Sequence, residues 1–146
     1  NRGGEKAMMQ KQTIVDHNPE EGRYGNCLQA CVASVLLMPI SDVPHFCYGK
    51  AADDTTWFKE LNDWLRPRGL AFIAFKGSGW DDVFAFIDCL HLISGPSPRY
   101  AATLHSTVGR NGKIIFDPHP SDDGLADGEW TFGFFIKTNL VAWEYL

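Results

Sequence analysis

Apolar and polar positions change rhythm once along this chain. The stretch "CLQACVASVLLM" (27–38) carries only Gln29 and Ser34 as polar residues. It is too long for an ordinary strand and apolar on nearly every face, so it predicts a buried helix that stops at Pro39. In "DTTWFKELNDWLR" (54–66), Trp57, Phe58, Leu61, Trp64 and Leu65 recur on one face. That predicts an amphipathic helix capped by Asp54 or Thr55 and ended by Pro67 and Gly69. Beyond residue 70 the runs shorten. "LAFIAF" (70–75), "LHLI" (90–93), "WTFGFFIK" (130–137) and "LVAWEYL" (140–146) read as strands, and "WDDVFAFIDC" (80–89) as a short helix. "ATLHSTVG" (102–109) and "KIIF" (113–116) read as a hairpin around Asn111-Gly112. Helices first and a mostly antiparallel sheet after them make an α+β fold.

Composition narrows the class. The 146 residues suit one domain, and 45% hydrophobic with 21% charged residues is ordinary for a globular chain that buries its own core. The net charge of -5, with no Lys/Arg block, argues against nucleic acid or an anionic membrane as partner. No apolar run is long enough to span a bilayer. Four cysteines, Cys27, Cys31, Cys47 and Cys89, are too few for a disulfide framework in a chain of this length. Free thiols and a cytoplasmic location are therefore expected. Residues 1–8 are expected to lie outside the domain, as a non-native or disordered leader before a native start at Met8 or Met9. The domain itself is expected over 9–146.

Cys27 is where composition turns into chemistry. It follows the turn "GRYGN" and opens the buried helix, where unpaired N–H groups and the helix dipole favour thiolate. A thiol nucleophile needs a base, and the base needs an orienting group. Among the histidines, His105 has a partner by register. A three-residue loop Arg110-Asn111-Gly112, with Gly112 left-handed, places Gly109 opposite Lys113 and His105 opposite Asp117 on one face. A two-residue Asn-Gly turn shifts the register by one and parts them, so the three-residue loop is expected. His119, in "DPHP", is placed in the substrate cleft beside Asp117. His45 is expected to pack the turn after the first helix, and His17 and His91 show no partner.

Three segments, "GNCLQACVASVLLMPISDVPHF", "HSTVGRNG" and "IFDPHPS", resemble small papain-like cysteine peptidases of bacterial or phage type, in their C39-like branch. The resemblance implies a papain-like domain with Cys27 as nucleophile, His105 as base and Asp117 as orienting residue. It also implies a glutamine that completes an oxyanion hole, usually six residues before the cysteine. Glu21 stands there instead. Gln12 is the first substitute, brought back by a longer loop, and Asn26 the second.

These residues point to a cysteine-dependent hydrolase, a peptidase, isopeptidase or amidase, working through a thioester on a peptide or protein substrate without metal or organic cofactor. Transfer of the acyl group to an amine, and a papain-like module that only binds peptide, are the competing readings. A zinc site from Cys27, Cys31, His105 and His119 is weaker, because structural zinc takes its cysteines from loop knuckles.

Overall fold

The central strands of the sheet are buried on both faces, and each face carries its own core. A computed structural model describes residues 8–77 and 81–138. The strand expected over 140–146 and residues 1–7, expected to lie outside the domain, are not among these. The first helix, α1, spans Cys27–Leu36, and the second, α2, spans Thr56–Leu65. Strand β1 is Leu70–Lys76, and a one-turn helix α3 follows at Asp81–Phe84. The remaining strands are β2 (Leu90–Pro96), β3 (Leu104–Arg110), β4 (Lys113–Phe116) and β5 (Thr131–Lys137). They form one antiparallel sheet in the order β1-β5-β2-β3-β4. Two helices packed on a five-stranded antiparallel sheet are the α+β architecture expected from the chain.

Helix α1 is buried along Ala30–Ser34, as its apolar run requires. It ends two residues before the predicted limit, where Leu37 turns left-handed (φ 55°) and Met38 N–H bonds back to Ala33 O. Helix α2 is amphipathic, with Leu61 and Leu65 fully buried. Thr55 holds the N-cap position without a side-chain cap bond, and Asp54, one residue before it, accepts the Thr56 N–H at 2.9 Å. One core lies between the helices and the sheet and holds Leu28, Val32, Leu61, Leu65, Phe72, Leu92 and Val108. The other lies on the opposite face, where Ile93, Phe132 and Phe134 meet Phe84. Leu92 and Ile93 go to different cores because successive strand residues point to opposite faces. Among the described residues no helix is long and apolar enough to cross a membrane.

The β3–β4 hairpin corrects the register argument. Its turn has two residues, not three. Asn111 (φ 54°) and Gly112 (φ 76°) are both left-handed, the type I′ geometry that Asn-Gly favours, and Arg110 pairs with Lys113. By itself this turn would set His105 and Asp117 on opposite faces. A β-bulge undoes it. Gly109 pairs with Ile114, but Val108 pairs with Phe116, so Ile115 is an extra, exposed residue. Ile114 therefore packs into the second core and Phe116 against the first. Asp117 returns to the face of His105 as its diagonal neighbour.

Gly133, on β5, lies where Phe72 crosses it. A Cβ there would stand 2.1 Å from Phe72 Cζ, and the Phe72 side chain is buried. Gly133→Ala is expected to cost about 1–3 kcal/mol by forcing that ring out of place. Urea unfolding of the variant checks it, and an unchanged midpoint would refute this account of the packing.

Candidate active site

Three tethers fold the chain before α1 into a closed loop. Asn18 and Arg23 exchange backbone hydrogen bonds across the 3-10 turn Pro19–Glu21, which Gly22 ends in the left-handed conformation. Ile14 O accepts the Asn26 N–H at 3.3 Å, and Asn26 Oδ1 accepts the Ile14 N–H at 2.8 Å. His17 Nδ1 accepts the Gly25 N–H at 3.2 Å. The loop turns the chain back on itself, so Gln12 comes to lie beside Gly25 and Cys27 on the wall of one cleft. Gln12 is also tied forward, since its backbone N–H bonds Pro118 O at 2.9 Å. Lys11 donates to Asp117 O and His119 O from the same segment.

At the end of this loop Cys27 begins α1 and meets His105 from β3. His105 Nε2 lies 2.7 Å from Asp117 Oδ1, and both side chains are almost completely buried. Asp117 accepts two further hydrogen bonds, from His119 N–H at 2.8 Å and Gly124 N–H at 2.7 Å. A carboxylate with three donors is held ionised and in one orientation. With Nε2 committed to Asp117, Nδ1 is the ring nitrogen left to serve the thiol.

The electrostatics follow from these contacts. Burial alone would push the Cys27 thiol up. The hydrogen bond and charge of His105 outweigh it, together with the N–H groups of Ser106 and Leu28, and the thiol falls below its ordinary value. Burial would push His105 down, but its bonds to Asp117 and Cys27 raise it to about 9. Burial opposes ionisation of Asp117, and its three hydrogen bonds win, so its carboxyl lies below the usual range. Both shifts favour a thiolate–imidazolium pair over the neutral pair. The other cysteines move the opposite way. Burial raises Cys31, which is fully enclosed, lifts Cys47 to about 12 and raises exposed Cys89.

No family model, curated protein or solved structure matches this chain. The site is therefore read from its own geometry. Gln12 is buried, and its Nε2 donates one hydrogen to Ile14 O at 2.8 Å. Its second hydrogen has no partner among the described residues, so it is available to the cleft. Asn26 is not. Its amide donates to Thr13 Oγ1 and Gln29 Oε1 while its oxygen takes the Ile14 N–H, so it fastens the loop and has no hydrogen left for an oxyanion. Glu21 lies on the surface, paired with Arg23 at 2.6 Å.

The structure also locates the remaining histidines. His119 is buried and borders the cleft, its ring at right angles to that of His105 with centroids 6.2 Å apart. His45, expected to pack the turn after α1, bonds Tyr24 O at 2.9 Å in the turn before α1, and its ring meets Tyr48. His17 and His91 do have partners. His17 sits between Tyr24 and Tyr100 on the cleft rim. His91 is fully buried against Phe134, and its Nε2 accepts the Gly112 N–H at 3.1 Å, which pins the hairpin turn. Neither was legible, because no motif states that these loops and strands meet. The cleft, of about 200 Å³, continues from Cys27 between Leu28, Trp57, Phe72 and Leu92. Trp57 and Phe72 thus form its apolar wall.

The pH dependence of Cys27 alkylation tests this electrostatic account. A lowered thiol reacts at pH values below the ordinary thiol range, and its rate falls only as pH drops through the lowered value. Asp117→Asn removes the charge that holds the imidazolium. It should move that acid limb upward and cut the rate at pH 6 by about tenfold or more, since one pKa unit is a tenfold change in thiolate. Deleting exposed Ile115 removes the bulge and should do the same while far-UV circular dichroism stays native. An unmoved limb in both variants would contradict the pairing.

Proposed function

We propose that this protein is a papain-like cysteine hydrolase that cleaves an amide or isopeptide bond through an acyl-thioester on Cys27. The observation that carries the reading is the contrast among the four thiols. Only Cys27 is lowered, and it is the one that meets a histidine oriented by a buried carboxylate.

The chemistry runs as follows on these residues. The Cys27 thiolate attacks the carbonyl carbon, a C–S bond forms, and the carbonyl π pair moves onto oxygen. The oxyanion meets the free Gln12 hydrogen and a backbone N–H at the tip of α1, donors fixed in place before the reaction. The C–N bond then breaks as His105 gives its proton to the leaving nitrogen. Water attacks the thioester while His105 takes one of its protons, the C–S bond breaks, and acid and thiolate are restored. Asp117 keeps the ring in one tautomer through both halves. Because His105 must carry a proton to expel the amine, turnover should fall as pH rises through about 9, and on the acid side as Cys27 becomes protonated.

A panel of acyl-peptidyl aminocoumarins, with mass spectrometry of trapped acyl-enzyme, tests the reading. Cys27→Ala should abolish the adduct, and His105→Ala should lower turnover by about 10⁴-fold or more. Gln12→Ala should cost about 10²–10³-fold in kcat, the usual value of one oxyanion donor. If iodoacetamide labels Cys27 no faster than exposed Cys89, and His105→Ala leaves that rate unchanged, the reading fails.

A further inference from the structure

The flank of the cleft beside His105 carries donors that the triad does not use. His119 Nδ1 lies 3.0 Å from the Ser121 backbone N–H, a group that can only donate. Nδ1 is therefore the bare nitrogen, and the ring hydrogen sits on Nε2. Among the described residues Nε2 has no partner, and the ring borders the cleft. Arg99, from the loop after β2, borders the same end. Its guanidinium Nη1 donates to Ser121 Oγ at 3.0 Å, and that oxygen lies 2.8 Å from His119 Nδ1. One hydroxyl thus holds both side chains side by side.

Arg99 is incompletely satisfied. Its side chain is 18% exposed, and its Nε is buried with no hydrogen-bond partner. Its charge forms a loose ion pair with half-exposed Asp123, 3.7 Å from Nη1, a separation too long for a hydrogen bond. The other cation on the cleft wall, Lys50, is already paired with Glu60 at 2.9 Å. A buried guanidinium N–H without an acceptor costs free energy, and a carboxylate is the ligand whose geometry matches the fork.

We infer that Arg99 and His119 form an anion subsite for the leaving group, so that the preferred scissile bond joins an acyl group to an amine bearing a carboxylate, as in a C-terminal amino-acid residue. The assignment of the side rests on the reaction proposed above. The proton carried by His105 goes to the leaving nitrogen, so the leaving group lies on the His105 flank, where Arg99 and His119 stand. The acyl part then faces Leu28, Trp57, Phe72 and Leu92.

Binding decides this without any need for turnover. The full chain is titrated with N-acetylglycine and with N-acetylglycinamide, following the imidazole resonances of His119. The carboxylate is expected to bind about tenfold more tightly or better, the scale of a charge-assisted hydrogen bond. In Arg99→Gln the gap should shrink to about twofold or less, and Arg99→Lys should keep part of it, as a charge without the fork does. Equal affinities in the wild-type chain, or a gap that survives Arg99→Gln, overturn the subsite. A parallel measurement compares Cys27 labelling by iodoacetylglycine and its amide as a ratio within each variant, so that changes in thiolate cancel. Failure of iodoacetamide to single out Cys27 sinks the hydrolase reading alone, and the titration still decides the subsite.

Discussion

The 2.7 Å hydrogen bond between His105 and Asp117 is the constraint on which the rest of the site depends. It fixes which imidazole nitrogen faces Cys27, and it supplies the charge that keeps the ring protonated. Without it, burial would leave both the thiol and the imidazole neutral, since low dielectric disfavours each charged form. The bond is strong because Asp117 is itself over-determined. Its two oxygens take hydrogen bonds from the His119 and Gly124 N–H groups as well, so the carboxylate can neither rotate nor easily be protonated.

The surrounding chain looks arranged to protect that geometry. The segment Gln10–Ile14 joins the Cys27 side of the site to the Asp117 side. It is tied to α1 through Ser34, which accepts the Gln10 N–H at 2.9 Å, and to the turn before Cys27 through Asn26. It is tied to the Asp117 loop through Lys11 and the Gln12 backbone. Cys27, His105 and Asp117 come from a helix tip, a strand and a loop, and this short segment is the common strut between the first and the last.

Much of this could be read from the sequence, and the exceptions are physical. The two helices followed from apolar spacing, and the placing of Cys27 at a helix start followed from the glycine-rich turn before an apolar run. The pairing of His105 with Asp117 was anticipated by an argument with the wrong intermediate. The three-residue loop was a local inference, whereas the observed answer combines an Asn-Gly type I′ turn with a bulge at Ile115. A bulge depends on which core claims Ile114 and Phe116, and no local pattern states that. Gln12 could be suspected only as a residue brought back by a loop, and the loop proved to be fastened by Asn26, the residue suspected as its competitor. Arg99 and His119 share a serine hydroxyl across more than twenty residues, a proximity no spacing rule reveals.

The strut from Gln10 to Ile14 also has a meaning in time. Its bonds to Asp117, Pro118 and His119 join residues more than a hundred positions apart. Contacts of that span close late, after the loss of loop entropy has been offset by nearer ones. A chain emerging from the ribosome displays Cys27 and its helix long before His105, Asp117 and Gly124 exist to organise it. During that interval the thiol lacks its histidine and stays an unremarkable side chain. The order of synthesis therefore leaves Cys27 without the contacts that lower its thiol until the carboxylate loop has docked.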